Sequence, residues 1–520
     1  MPKDPTSEFA SPSSTAVLTG VPESSGPFPG DTSFFGHPRG LSTLFFTEFW
    51  ERFSYYGMRG ILILFMTAAV AQGGLGMDAA RAGAIYGLYT AFVYLTALPG
   101  GWLADRVFGQ RRAVLIGGII IAMGHFTMAI PAVTLALGEL PPFYAGLVLI
   151  VLGTGLLKPN ISTMVGGLYP EGGARRDAGF SIFYMGINMG AFLAPLVVGY
   201  LGEKVNWHVG FAVAGVGMVL GLIQYVIGGR HLRGLGEYEH TAGDDGGPQR
   251  RLFMAVGVAI GLIAVIALLT TTGMLSVQGL AAAGTYIIVL LSLGYFGYMF
   301  LAGGLDEVER KRIAVIAILF IFSAIFWSGF EQAGSSLNLV AERLTDRNIL
   351  GWEMPASWLQ SVNPLFIIAL APVFAGIWIS LARRNQEPSS PAKFSFGLVF
   401  LGLGFLVLVV ATGLSGAGAQ ISPMWLVLTY LLHTIGELAL SPVGLSTVTK
   451  LAPQRVVGQM MGVWFMSVSL GNLIAGQVAG FIETLPLPQL FGTVAAITIG
   501  AGLLLLLLVK PTRKLMGGVL

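Results

Sequence analysis

Long apolar runs separated by short polar breaks constrain this chain more than any other feature of its sequence. They fall at about 42–70, 79–103, 112–134, 142–167, 175–202, 206–229, 252–273, 279–303, 312–341, 356–382, 394–413, 423–450, 456–482 and 486–509. Each is close to or above the roughly twenty residues that a helix needs to cross a bilayer. Of the 520 residues, 54% are hydrophobic and 11% are charged, and the mean hydropathy is +0.76. A water-soluble domain cannot bury that much apolar surface. The expectation is an all-α integral membrane protein of about fourteen spans.

Basic residues test this division, because cytoplasmic loops retain Lys and Arg. Of 29 such residues, 22 fall on one alternate set of breaks, which includes both chain ends. The opposite set holds Lys204, Arg343 and Arg347, the last two among Glu342, Asp346 and Glu353. An even number of spans with both termini cytoplasmic is expected, in the inner or plasma membrane of the cell. Residues 1–40 are rich in Ser, Pro, Gly and Thr and read as a disordered cytoplasmic tail, with no signal peptide. The absence of cysteine excludes disulfides and thiol chemistry. No basic run with interleaved aromatics suggests nucleic acid, and no nucleophile–base or metal-ligand cluster suggests an enzyme.

The longest internal polar break, 230–251, carries Glu237, Glu239, Asp244 and Asp245 and reads as a cytoplasmic linker. It separates a first bundle of six spans, 41–229, from the remainder of the chain. The pair at 252–303 lacks polar and aromatic chemistry in its apolar stretches and reads as an inserted, lipid-facing hairpin. A short linker at 304–311 leads to a second six-span bundle, 312–520. Six plus six is the arrangement expected of a transporter made of two related halves.

Charges inside spans are costly and are expected to face a cavity or a partner. In the first span, Glu48, Arg52, Tyr55 and Arg59 fall within one narrow arc at about 100° per residue, flanked by Glu51 and Tyr56. Glu48 and Arg52 are spaced i,i+4 for pairing. A structural ion pair between helices is the plainer reading of this face. Lys158, beside Pro159 in the fourth span, sits too deep to reach the surface easily and needs an anion: Glu51, a glutamate of the second half, or a ligand carboxylate. Pro159 frees a backbone carbonyl, so the helix is expected to bend there.

The second half carries the opposite sign, with Glu331 and Glu437 and no deep cation. Formally the first half contributes +1 and the second −2. A cavity between them prefers a zwitterion, carboxylate toward the first half and ammonium toward the second. The net −1 leaves a place for one proton. Burial disfavours a charged carboxyl and a neighbouring cation favours it, so a change of partner can switch these glutamates. Asn188 and Asn363 can assist. Tyr94, Trp327 and Trp464 are candidates to line side-chain pockets, although each aromatic is more often ordinary packing. His125 and His433 read as packing or as satisfied polar residues. Asp105, in the turn Gly101–Arg112, either locks one conformation by pairing with a helix end or an arginine, or merely belongs to a charged loop.

Several stretches carry a family resemblance. Gly101-Trp102-Leu103-Ala104-Asp105-Arg106 through Arg112 resembles the loop signature of the major facilitator superfamily. Glu48-Phe49-Trp50-Glu51-Arg52 resembles the Glu-x-x-Glu-Arg signature of proton-dependent oligopeptide transporters of the bacterial type, and Phe183-Tyr184 through Asn188 and Gly190 resembles a second. Phe326-Trp327 with Glu331-Gln332, and Glu437-Leu438 with Ser441-Pro442, fit as well. The resemblance implies a major facilitator fold of two six-helix bundles plus two inserted helices. It implies a symporter that imports di- and tripeptides with protons by alternating access. No cofactor is expected, and one chain is expected to suffice for function. The resemblance implies that Arg52 and Lys158, helped by Tyr56, hold the peptide carboxylate and that Asn188, Asn363 and Glu437 hold its amino group; Tyr55, Tyr94, Trp327, Ser441 and Trp464 are further candidates for substrate contact. Glu48, Glu51, Arg52 and Glu331 would couple protons. Arg59 with Glu331 would close the outer gate, and Lys158 with Glu437 the inner one. With no histidine in the second span, coupling would rest on carboxylates. Transport of nitrate or another small solute, and a peptide sensor without flux, are the alternatives.

Overall fold

The computed structural model describes residues 31–130, 140–170, 172–238, 247–414 and 419–517. Residues 1–30 of the expected tail, the end of the third apolar run, and Glu239, Asp244 and Asp245 of the expected linker lie outside the described residues. Fourteen long helical segments run through the rest: α1 Arg39–Thr67, α2 Ala79–Phe108, α3 Gln110–Met128, α4 Leu140–Gly167, α5 Gly173–Lys204, α6 Trp207–Leu232, α7 Gly247–Thr271, α8 Val277–Ala302, α9 Glu307–Arg343, α10 Ala356–Arg383, α11 Ser390–Leu414, α12 Pro423–Leu451, α13 Gln454–Glu483 and α14 Leu487–Leu515. Thirteen of them are long and apolar enough to cross a membrane by composition alone. The exception is α1, which carries Glu48, Glu51, Arg52 and Arg59 within its length. The expected runs and the observed helices agree to within a few residues.

Helix ends follow local chemistry. Asp306 and Glu309 form a reciprocal capping box at the start of α9, with Asp306 Oδ1 accepting from the Glu309 N–H at 2.7 Å. Asp78 caps α2 by accepting from the Arg81 N–H at 2.7 Å. The described part of the expected tail, from Asp31 onward, is folded against the first bundle. Asp31 Oδ2 accepts from the Arg39 N–H at 2.8 Å, its carbonyl accepts from Arg175 at 2.9 Å, and His37 Nδ1 lies 2.8 Å from the Tyr169 hydroxyl. Phe34 adds an apolar anchor, its ring 6.1 Å from that of Phe45.

Within each half the helices approach closely where glycines face each other. A Cβ on Gly153 of α4 would come 2.5 Å from the Gly117 carbonyl of α3, so only glycine allows this backbone contact. The inserted pair is peripheral. No residue in the apolar stretch of α7 is buried, and α8 touches the rest through one face, with Gln477 Nε2 donating to Thr285 Oγ1 at 2.8 Å. α4 runs through Pro159 without interruption.

Two helices are interrupted where chemistry concentrates. In α9, regular helix ends at Phe330, Glu331–Gly334 form a tighter turn, and a short helix, Ser336–Arg343, completes the span. In α5, Pro195 cannot donate a backbone hydrogen bond, and the chain widens over Pro195–Gly199. The loop after α9 forms a small antiparallel hairpin, β1 Asn348–Ile349 with β2 Trp352–Glu353, turned through Leu350 and Gly351 at positive φ. Its Glu353 pairs with Arg347 at 2.9 Å and Lys204 at 2.8 Å, which accounts for the balanced charge of that loop.

Candidate functional site

The arc expected on α1 faces inward. Arg52 Nε lies 2.7 Å from Glu48 Oε1 and 2.7 Å from Glu51 Oε2, and all three side chains are almost fully buried. Two carboxylates thus flank one guanidinium. Glu48 Oε2 and Arg52 Nη2 have no hydrogen-bond partner among the described residues. The Arg52 guanidinium also lies 5.6 Å from the ring of Tyr55, which stacks on Tyr89 at 6.3 Å. Tyr55 therefore supports the cluster from behind.

Two turns along the same face, Arg59 reaches across to the other half. Its Nη2 donates to Glu331 Oε2 at 2.5 Å and its Nε donates to the Tyr86 hydroxyl at 2.5 Å. Arg59 is 8% exposed and Glu331 4%. The break in α9 after Phe330 sets Glu331 at a helix end, from which it can meet Arg59. The rings of Tyr56 and Tyr86 flank the guanidinium at 5.7 and 5.8 Å. Spacing does not single out Tyr86. It is one of several tyrosines in the second span, with Tyr89 and Tyr94, and that density is the available signal.

The expected inner pair is not made. Lys158 Nζ sits 3.9 Å from the centre of the Tyr94 ring, a cation–π contact, and pairs with no carboxylate among the described residues. Glu437 Oε2 instead accepts from Asn363 Nδ2 at 3.1 Å, and Asn363 also donates to Thr434 Oγ1 at 2.9 Å. Lys158, Tyr56, Tyr94, Trp327, Asn363, Glu437 and Ser441 are all half-buried. They share one electrostatic neighbourhood at its charged members: Lys158 interacts with Arg52, Glu51, Glu48 and Glu331, and Tyr56 with Arg52, Arg59, Glu331 and Glu437.

Three expectations need correction or refinement. Trp464 is 4% exposed; it packs on Phe394 at 6.0 Å and covers Gly444, so it is core between α11, α12 and α13. Asn188 is 4% exposed and donates to the Tyr184 carbonyl of its own helix at 2.9 Å. Asp105 is exposed, and no bond holds it among the described residues. His125 and His433 are buried as expected, the latter with its ring 4.9 Å from that of Phe405.

The hydrogen bonds between the halves cluster toward the helix ends where α1 meets α2 and α9 meets α10. Asn338 Nδ2 and Gln360 Nε2 donate to the Gly60 carbonyl at 2.8 and 3.1 Å, Trp358 Nε1 donates to the Leu196 carbonyl at 3.0 Å, and Ser361 Oγ donates to the Phe192 carbonyl at 2.8 Å. The Arg59–Glu331 pair is thus formed at this end, while Lys158 and Glu437 are not paired with each other.

The POT family profile matches residues 111–494. A peptide transporter of Yersinia enterocolitica is 45% identical over 501 residues, covering 94% of this chain and 97% of its own. A di-/tripeptide transporter of Lactococcus lactis is 38% identical over 502 residues, covering 94% and 98%. Among solved structures, a peptide transporter POT in complex with sulfate superposes with a TM-score of 0.85 at 45% identity, covering 93% of this chain and 97% of that one. A POT family transporter in complex with 5-aminolevulinic acid gives 0.84 at 36%, covering 93% and 98%. The fold is therefore the major facilitator arrangement that the resemblance implied, and the chain belongs to the POT family of membrane transporters.

Proposed function

We propose that the protein imports di- and tripeptides together with protons by alternating access between two six-helix bundles. The observation that carries this reading is the disposition of charge between the halves. Arg52 and Glu437 both act on Tyr56, Lys158 of the first half interacts with Arg52, and Glu437 of the second half is bound by Asn363 and not by Lys158. A ligand with a carboxylate and an ammonium satisfies both walls at once. The relatives named for di- and tripeptides support this substrate, and 5-aminolevulinic acid, bound by another relative, carries the same two charges.

Proton coupling rests on the crowding at Arg52. Two carboxylates hold one guanidinium. A peptide carboxylate arriving there competes with them, and a proton on either glutamate frees Arg52 to receive it. Peptide and proton then neutralise the site together. Release into the cytoplasm restores the glutamate–arginine contact. On the outer side, protonation of Glu331 removes the charge that holds Arg59 and lets the halves part. The second-half carboxylates argue against nitrate or another purely anionic substrate.

The spans lie in the cell's inner or plasma membrane with both termini cytoplasmic, in line with the 22 of 29 basic residues on that side. One chain contains the whole site and serves as the working unit. Reconstitution in liposomes tests the function: under an imposed inward proton gradient, labelled dialanine accumulates and excess unlabelled dialanine competes. Peptide binding without flux would instead support a sensor.

A further inference from the structure

Two carboxylates outside the central site join the halves in the same way. Glu203 ends α5, the fifth helix of the first half. Its Oε2 accepts from the Ala356 N–H at 2.7 Å, and its Oε1 accepts from the Ser357 N–H at 3.0 Å and the Ser357 hydroxyl at 2.5 Å. These are the first donors of α10, the second helix of the other half. Glu483 ends α13, the fifth helix of the second half when the inserted pair is left aside. Its Oε2 accepts from the Ala79 N–H at 3.1 Å, the first donor of α2, while its Oε1 accepts from Arg343 at 2.9 Å.

A helix N-terminus has unsatisfied N–H groups and the positive end of the helix dipole, so a carboxylate is a favourable cap there. Here the cap comes from the opposite bundle in both cases. We propose that Glu203 and Glu483 form a reciprocal pair of outer latches, in which the fifth helix of each half caps the second helix of the other and both caps must break when the protein opens outward. The inference rests on the alternating-access reading. It adds a device that sets the resting bias toward the outer-closed state, separate from the Arg59–Glu331 pair that responds to protons.

The two latches differ in strength. Ala356 and Ser357 are fully buried and Glu203 is half-buried, so its three bonds are sheltered from water. Glu483 is exposed, with its side chain 38% accessible, so its hold is weaker. Glutamine at either position keeps the shape but loses the charge, and at Glu203 it also turns an NH2 donor toward a backbone donor.

The chain has no cysteine, so spin labels can be placed at will. Cysteines at Val70 and Leu350, both exposed on outer loops of opposite halves, report outer opening by pulsed electron–electron resonance without substrate. Glu203→Gln is expected to raise the long-distance, outward-open population about tenfold, in keeping with the loss of a buried charged hydrogen-bond acceptor. Glu483→Gln should raise it about two- to threefold, and the double variant should multiply the effects. Ser357→Ala, which removes one donor and keeps the carboxylate, should shift it in the same direction by less. If Glu203→Gln does not yield a monodisperse protein, Ser357→Ala with Glu483→Gln decides. Unchanged distances in folded variants, or a shift at only one of the two latches, would overturn the proposal. Because no substrate is present, this outcome is independent of whether dialanine is transported.

Discussion

Replacing Glu331 by glutamine separates the two jobs assigned to that carboxylate. The Arg59–Glu331 pair is 2.5 Å long, with both residues less than a tenth exposed. Removing one partner of a buried ion pair costs about 3–5 kcal/mol. Glutamine keeps an acceptor, and Arg59 keeps its bond to Tyr86 and the face of Tyr56, so the lower end applies. About 3 kcal/mol shifts the balance away from the outer-closed state by roughly 150-fold. Glu331→Gln also removes the group that would take the proton. In liposomes with an alkaline interior, the variant should fail to accumulate labelled dialanine above the external concentration. In liposomes preloaded with unlabelled dialanine and no gradient, labelled peptide should still enter by exchange. Uphill uptake at the parental level would refute the assignment of Glu331 to coupling.

Other substitutions test other parts. Glu437→Gln removes a charged contact of about 1.5–3 kcal/mol to the peptide ammonium, so KM for dialanine should rise about 10- to 150-fold in uptake assays. Lys158→Met should raise KM similarly but spare a peptide whose carboxylate is replaced by an amide, because the lysine is assigned to that end; equal losses for both peptides would count against it. Trp464→Ala should lower thermal stability by about 3–5 kcal/mol, as expected for a large core aromatic, with KM little changed once the protein is folded. Gly153→Val should cost about 1–3 kcal/mol or prevent assembly, read as a lower Tm, because the side chain would strike the Gly117 carbonyl.

Helix number, limits and the inward face of α1 were legible because lipid imposes length and because charge inside a span must face protein. Spacing alone placed Glu48, Arg52, Tyr55 and Arg59 on one face, and the structure joins Glu48 to Arg52 and Arg59 to Glu331. What escaped depends on where distant segments meet. Tyr86 is an ordinary aromatic until Arg59 arrives beside it from another helix. Glu203 and Glu483 look like loop charges because their partners are backbone N–H groups far away in sequence. The break after Phe330 has no proline to announce it; the turn Glu331–Gly334 forms without any residue that forbids helix. Trp464 is core rather than pocket lining, and periodicity does not distinguish a face toward a cavity from one toward a neighbouring helix. The open Lys158–Glu437 pair depends on which side the protein faces, and a sequence has no single such state.

The central claim is a site with a cationic and an anionic wall that accepts a ligand carrying both charges. Proton-gradient-driven uptake in liposomes, comparing dialanine with N-acetyl-dialanine, dialanine amide and nitrate, tests it most directly. The account predicts strong accumulation of dialanine, weaker uptake of each singly capped form, and no competition by nitrate. Uptake of N-acetyl-dialanine equal to that of dialanine, or full competition by nitrate, would contradict it.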